Sequence, residues 1–146
     1  MSKLRKLEGG KQISTSAVKR GGDCPQIPAF SFAYLTNNSS HNLEYFSDPN
    51  DKRTAIENVY IRLVEIGKRN WLYWHQQGKK VGLELLSANE ISFSPSDIKL
   101  TPDEKIIVFR VKGYAGKDSR ILGIREDGCP ILHIIGYDFD FSAYNH

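Results

Sequence analysis

The C-terminal third of the chain, residues 105–144, constrains the fold more than any other stretch. It contains three apolar runs rich in Ile and Val, which are KIIVFRV, SRILGIR and ILHIIGYDF. A Gly-containing segment separates the first two, and Asp127-Gly128 lies between the last two. Short runs of this composition between turn signals predict three antiparallel strands. Asp127-Gly128 predicts a two-residue hairpin, because that turn needs residues that adopt positive φ.

The first and third of these runs are apolar at nearly every position. Residues 106–109 and Val111 form one almost continuous apolar set, and residues 131–135 form another. A strand with one face in water alternates apolar and polar residues, whereas a continuous run indicates a strand covered on both faces. We therefore expect other elements to pack over this sheet.

Two helices are predicted in the middle of the chain. Asp48 is suited to cap the first helix and Pro49 to occupy its first position. Gly67 ends this helix, Asn70 caps a shorter second one, and Gly78 stops it. The spacing of six residues predicts one buried stripe on the first helix, namely Ile56, Val59, Tyr60, Leu63, Val64 and Ile66. Core packing is the expected role of Trp71 and Trp74, in preference to base stacking.

The remaining segments complete an α+β domain. Residues 30–36 alternate aromatic and small side chains and predict a first strand, and residues 81–86 and 91–93 predict short strand-like pieces. The expected fold is an antiparallel sheet of about four strands packed against a helical hairpin. The predicted domain covers residues 29–146. Residues 1–28 form a basic arm and an extended connector around Pro25 and Pro28.

Composition limits the class of protein. A chain of 146 residues fits one domain with its own core. Its two cysteines, Cys24 and Cys129, belong to no CxxC pair and are expected to be free thiols in a reducing compartment. No apolar run reaches the length of a membrane span, and the N-terminus lacks the apolar core of a signal peptide. We expect a cytoplasmic protein without a membrane partner.

The N-terminal arm carries a concentrated positive charge. Residues 1–22 have a net charge of +5, with six basic side chains against one acidic, while the remainder has −2. One interpretation is a solvated, disordered tail. The other is an electrostatic arm that binds nucleic acid or an acidic protein. The candidate nucleic-acid-binding residues are Lys3, Arg5, Lys6, Lys11, Lys19 and Arg20.

The order of elements resembles the RelE/ParE superfamily of small bacterial toxins. A strand, a helical hairpin, and then three consecutive strands with a polar-aromatic tail make up the resemblance, which is closest over residues 105–144. Residues 105–110 are similar to the basic strand of the family that ends in Arg. Residues 119–122 are similar to its Tyr-Arg-Val/Ile strand, and residues 130–144 to its last strand, which is followed by a Tyr.

The resemblance implies a function and a set of site residues. RelE-type toxins cleave mRNA in the ribosome and are neutralised by an antitoxin protein. They use Lys and Arg to stabilise the charge that develops on phosphate, and a Tyr in proton transfer or base stacking. The matching positions are Arg110, Arg120 and Tyr144, and His133 joins them as a candidate catalytic residue. Arg120 is expected on the solvent face of its strand. No cofactor and no metal are assigned.

Asp138 and Asp140 depart from the family pattern, which has basic residues after the last strand. Two carboxylates there would repel the phosphate that the site must hold. One interpretation is a metal cluster in which they join His133 and His146. The other is a pair of charges that protects an edge strand. Asp138 and Asp140 are expected on one face of that strand because their spacing is two residues.

Two classes of function follow from these observations. The first is a toxin-like endoribonuclease that acts on ribosome-bound mRNA and is neutralised by a partner. The second is a non-catalytic module of a phage or mobile element that binds a protein or nucleic acid through the same fold. The chain has no Gly-rich phosphate loop, nucleophile elbow or HExxH motif, so the common catalytic motifs do not decide between them.

Overall fold

The computed structural model describes residues 26–79, 81–114 and 116–145. The predicted basic arm lies outside these residues, as do Cys24, Pro25 and His146. Two helices are present, α1 over Pro49–Ile66 and α2 over Trp71–Gln76. The strands are β1 (Ala29–Ser31), β2 (Leu83–Ser87), β3 (Lys105–Val111), β4 (Ser119–Ile124) and β5 (Ile131–Asp138).

The five strands form one mixed sheet in the order β1-β5-β4-β3-β2. Strands β2 to β5 pair antiparallel, whereas β1 runs parallel to β5. The α+β class is confirmed, but the purely antiparallel sheet of about four strands is wrong. β1 is also shorter than predicted, because the chain turns where the backbone N–H of Ala33 donates to Ser31 Oγ at 3.2 Å. Residues 91–93 form no strand.

The helix boundaries follow the predicted caps except at the end of α2, where the C-cap is Gln77 and not Gly78. Asp48 Oδ1 accepts a hydrogen bond from the backbone N–H of Asn50 at 2.8 Å, and Asn70 Oδ1 accepts one from Tyr73 at 2.8 Å. Gly67 follows α1 as its C-cap. Within the described ranges, neither helix combines the length and apolar character needed to cross a membrane.

The helices cover one face of the sheet. Trp71, Trp74 and Ile66 are buried there against Phe109, which confirms the predicted role of both tryptophans. The predicted stripe on α1 is only partly buried, because the helix turns Ala55, Val59 and Ile66 towards the sheet. Three of its members remain exposed, namely Ile56 at 41%, Tyr60 at 66% and Val64 at 38%.

The opposite face is covered by two irregular segments. One is the loop after β2, which contributes Phe93, and the other is the C-terminal segment, which contributes Ala143 and Tyr144. They pack on β-strand side chains such as Val108 and Leu122. The prediction that both faces of the sheet are covered is therefore confirmed.

The β4–β5 connection differs from the predicted hairpin. Residues 125–130 join the strands, and of Asp127 and Gly128 only the glycine has positive φ, 75°. The turn closes with a bond from Cys129 N to Glu126 O at 3.0 Å. The two-residue hairpin is wrong because Pro130 has no N–H for the ladder. Its carbonyl instead accepts from Ala29 N and from Trp71 Nε1.

Candidate functional site

Three charged residues form a row across the middle of the sheet. Arg110 on β3 lies opposite Arg120 on β4, and Arg120 lies opposite Asp138 on β5. The arginines occupy the face away from the helices, because Arg110 and Arg120 are two residues from Val108 and Leu122, which belong to the core on that face. The row thus contains two of the four predicted catalytic residues and one of the two carboxylates that depart from the family pattern.

Arg120 is buried, with 4% of its surface exposed, and Asp138 has 0%. The expectation that Arg120 lies on the solvent face is therefore wrong, since the C-terminal segment folds over it. Arg120 Nη1 donates to Ser119 O at 3.3 Å. Among the described residues, neither Arg120 Nε nor Arg110 Nε has a hydrogen-bond partner. Like charges directly opposite each other destabilise a sheet, so this pair favours a bound anion.

Residues 140–143, here called the strap, cover the row; Phe139 before them is buried in the core of the helical face, and Tyr144 follows them. The Asp138 carboxylate accepts hydrogen bonds from the backbone N–H groups of Ser142 at 3.0 Å and Ala143 at 3.3 Å. Ser92 holds the same segment from the other side, through its N–H to Ala143 O at 2.7 Å and its hydroxyl to Ser142 O at 2.8 Å. Asp140 is exposed and also accepts from Ser142 N, at 3.1 Å.

Phe141 lies on the Arg120 guanidinium in an unusual conformation. The guanidinium carbon is 4.9 Å from the ring centre, a cation–π distance. The backbone of Phe141 has φ 63°, in the left-handed region that a bulky residue rarely adopts and that costs about 1–3 kcal/mol. The strap contacts therefore hold Phe141 in a strained position over the arginine.

Tyr144 and Glu84 form a polar pair beside the row. Glu84 lies opposite Val108, and the Tyr144 hydroxyl donates to its Oε1 at 3.4 Å. Burial, and then the nearby Glu84 charge, raise the pKa of Tyr144 above its ordinary value. Glu84 was not predicted as a site residue. Its only signal in the sequence is a lone carboxylate in the apolar strand Leu83–Ser87.

A cleft of about 300 Å³ lies beside Arg110 at the edge of the site. Its charged lining comprises Arg62, Arg110 and Lys112, together with Glu65 and Asp118. Arg62 is fixed in place, because its Nε donates to Arg110 O at 2.8 Å and its guanidinium lies over the Trp74 ring. Arg110, which is one of the residues that line this cleft, is half-buried.

His133 lies apart from the row. It is opposite Ile124 on β4, four residues from Arg120, which is about 13 Å along a strand. Its ring contacts Tyr34, with 5.1 Å between the ring centres. The structure therefore places His133 on the same face as Arg120 but does not bring it to the arginines.

The sequence left two interpretations of Asp138 and Asp140, a metal cluster and protection of an edge strand. In the ranges that the structure describes, no group of three or more His, Cys, Asp or Glu side chains is placed to hold a metal ion. β1 pairs with β5 only as far as His133, so protection of the edge by an inward charge stays a prediction, but an outward charge is excluded because the Asp138 side chain is fully buried. Asp138 instead binds the strap.

An apolar groove of about 340 Å³ lies on the helical side. The exposed side chains Phe32, Ile56 and Tyr60 line it, together with the buried Tyr137. Burial raises the pKa of Tyr137 to about 12.

Comparison of the chain with protein-family models, with curated proteins and with solved structures finds no match. Membership of the RelE/ParE superfamily therefore stays a prediction.

Proposed function

We propose that the protein is a toxin-like endoribonuclease that acts on ribosome-bound mRNA and is neutralised by a protein partner. One observation carries this proposal: Arg110 and Arg120 lie opposite each other on adjacent strands, beside the Tyr144–Glu84 pair. The two guanidiniums form a preorganised anion site, and the tyrosine and carboxylate can exchange a proton.

The arginine pair supplies phosphate binding. A guanidinium donates two parallel hydrogen bonds to phosphate oxygens, and charge-assisted bonds of this kind are about twice as strong as neutral ones. A phosphate between Arg110 and Arg120 also removes their mutual repulsion. Cationic donors aimed at the phosphate stabilise the negative charge that builds up on its oxygens during cleavage.

Tyr144 and Glu84 supply proton transfer. The 2′-oxygen of the ribose attacks the adjacent phosphorus while the bond from phosphorus to the 5′-oxygen breaks. The Glu84 carboxylate takes the 2′-hydroxyl proton, and Tyr144 gives its proton to the departing 5′-oxygen. A tyrosine holds its proton at neutral pH, so Tyr144 can act as the acid, although burial raises its pKa and makes it a weaker acid than an exposed tyrosine. The 3.4 Å contact then returns the proton from Glu84 to Tyr144.

Asp138 opposes phosphate binding, and its contacts limit that effect. The carboxylate accepts two strap N–H groups and faces Arg120, so its charge is partly satisfied within the protein. Arg110 is half-buried beside the cleft, and its Nε has no partner among the described residues. Arg110 is therefore the guanidinium that meets the phosphate first.

The test is expression in a bacterium, with mapping of cleaved mRNA ends. The wild-type protein is expected to arrest growth and cleave mRNA, and Arg110→Lys is expected to lose at least about 100-fold of the cleavage, because Lys cannot make paired contacts. Arg53→Lys, at an exposed position of α1, is the control. Unchanged cleavage in Arg110→Lys, or no cleavage by the wild type, contradicts the proposal.

A second function, binding of a protein partner without catalysis, is favoured by the apolar groove. Tyr60, Ile56 and Phe32 expose 66%, 41% and 50% of their surfaces around it. A cluster of exposed apolar side chains around a groove marks an interaction site. If this function is the true one, growth inhibition persists in Arg110→Lys and is lost in Tyr60→Lys. Leu72→Lys, at a similarly exposed position outside the groove, is the matched control.

A further inference from the structure

We propose that the strap, residues 140–143, is a built-in lid that closes the arginine site and must lift, while Tyr144 stays beside Glu84, before an RNA phosphate reaches Arg120. The identity of the ligand rests on the proposed function, whereas the closure rests on the contacts of the strap alone.

Closure is visible in the burial of the row. Arg120 exposes 4% of its surface although it sits on a sheet face that neither α1 nor α2 covers. Phe141 covers the guanidinium, and Tyr144 packs beside it with 8% exposed. A phosphodiester cannot contact Arg120 through this cover. A protein that uses Arg120 must therefore open the strap.

The hydrogen bonds that hold the strap form one group around Ser142 and Ala143. Asp138 binds the Ser142 and Ala143 N–H groups, and Ser92 binds the carbonyls of the same two residues. Ala143, with 0% exposed, is its small apolar anchor. The described part of the strap contains neither helix nor strand. Segments with so little regular structure open locally at a lower free-energy cost than the sheet below them.

Phe141 biases the strap towards opening. Its φ of 63° is tolerated only while the neighbouring contacts hold, so release of the strap lets the residue return to an ordinary conformation. The same release frees the face of the Arg120 guanidinium on which the ring lies. Opening therefore relieves backbone strain and uncovers the cation in one step.

Arginine-specific modification measures the opening without RNA. The full chain is treated with phenylglyoxal, and mass spectrometry follows Arg120 against the exposed Arg53 of the same molecule. In the wild type, Arg120 is expected to react about tenfold more slowly than Arg53. Ala143→Glu places a charge at the buried anchor and is expected to bring the two rates within about twofold.

The matched control is Ala55→Gly. Ala55 is buried to a similar degree, at 3% exposed, but lies on α1 in the core of the opposite face. This change destabilises the domain without touching the strap, so Arg120 should stay protected. Equal reaction of Arg120 and Arg53 in the wild type overturns the inference, and so does deprotection of Arg120 in Ala55→Gly as large as in Ala143→Glu.

Phe141→Gly keeps the test decisive if Ala143→Glu fails to fold. Glycine removes both the strained side chain and the ring over Arg120, so faster modification of Arg120 is expected in a folded protein. Unchanged protection in this variant overturns the inference.

A measurement of RNA binding distinguishes failure of the lid proposal from failure of the proposed function. A single-stranded RNA of about ten nucleotides is expected to bind Phe141→Gly about tenfold more tightly than wild type. Deprotection of Arg120 without RNA binding by any form supports the lid and contradicts the ribonuclease.

Discussion

Arg120 lies between a second guanidinium and a fully buried carboxylate, and this position decides what its substitution does. A surface arginine is worth little to stability, whereas removing one member of a buried charge pair costs about 3–5 kcal/mol. With 4% exposed, Arg120 belongs to the second case. Its structural and functional roles therefore cannot be separated by one alanine variant, and a cycle of variants is needed.

We expect Arg120→Met to lower the free energy of unfolding by about 3 kcal/mol, because the change removes the cation opposite the buried Asp138. In an Asp138→Asn background the same change should cost at least about 1 kcal/mol less. Urea unfolding of the four proteins measures this coupling. Arg110→Met is the comparison at a half-buried position and should cost less. Equal costs of Arg120→Met in both backgrounds would show that the two charges do not interact.

We predict that the protein loses stability at high pH because Tyr137 is buried. Its pKa is raised to about 12 by burial, from about 10 in the unfolded chain. Below pH 10 both states hold the proton, so the pH has no effect through this group. Between pH 10 and 12 the unfolded state releases the proton first, and the free energy of unfolding falls by up to about 2.7 kcal/mol. Urea unfolding at pH 9, 10 and 11 should show a shallower decline for Tyr137→Phe; an identical decline would contradict this assignment.

At the scale of elements, an irregularity in the β4–β5 pairing builds the charged row. His133 lies opposite Ile124, but after a register shift at Leu122/Gly123 it is Gly136 that lies opposite Leu122. One extra residue on β5 therefore moves Asp138, rather than Tyr137, to the position opposite Arg120. The same shift turns Tyr137 towards the helices and Asp138 towards the strap.

Gly136 makes room for this bulge, and its substitution tests it. A Cβ at this position would lie 2.6 Å from the Phe93 ring and 3.2 Å from His41 O. Gly136→Ala is expected to lower the free energy of unfolding by about 1–3 kcal/mol, because the ring must move within a packed core. Gly78→Ala is the control, since nothing lies within 4 Å of its Cβ, and should stay within about 0.5 kcal/mol of wild type. If Gly136→Ala leaves the free energy of unfolding unchanged, the bulge has room for an additional methyl group.

The same bulge explains what the sequence could not predict. Local signals located β3, β4, β5, both helices and their caps, because Pro49, Gly67 and Asn70 act within a few residues of their own positions. The burial of Arg120 depends on a register shift and on a tail that folds back from residue 139. Neither feature produces a periodic pattern in the sequence. The parallel β1–β5 pair likewise joins residues about a hundred positions apart. Glu84 becomes a site residue only through that long-range assembly.

For the molecule as a whole, the two faces of the sheet present different surfaces. The helical face carries the apolar groove, and the opposite face carries the charged row under the strap. Residue 26, where the arm begins, lies at the β4–β5 turn, because Gln26 Nε2 donates to Gly128 O at 2.6 Å. Arg120 is at the other end of β4. The arm therefore joins the domain about 17 Å from the charged row, at the opposite end of β4.

An arm of 22 residues spans up to about 75 Å when extended, so its cations can reach phosphates well beyond the charged row. Deletion of residues 2–22 removes all six of its basic side chains. We expect the melting temperature to stay within about 2 °C, because Gln26 keeps its hydrogen bonds with the turn and with α2. RNA affinity should fall, and its dependence on salt should weaken by about 0.7 log units per decade of salt for each phosphate that the arm no longer neutralises.

A variant that keeps residues 2–22 but has Gln at the six basic positions distinguishes the effect of the arm's charge from the effect of its backbone. It should bind RNA as weakly as the deletion and with the same shallow salt dependence, because counterion release needs the cations and not the backbone. Titrations of both variants and of the wild type at several salt concentrations measure this. If the deletion melts many degrees lower, the arm packs on the domain. If all three salt slopes coincide, the arm does not touch phosphate, and RNA binding depends on the row and its cleft alone.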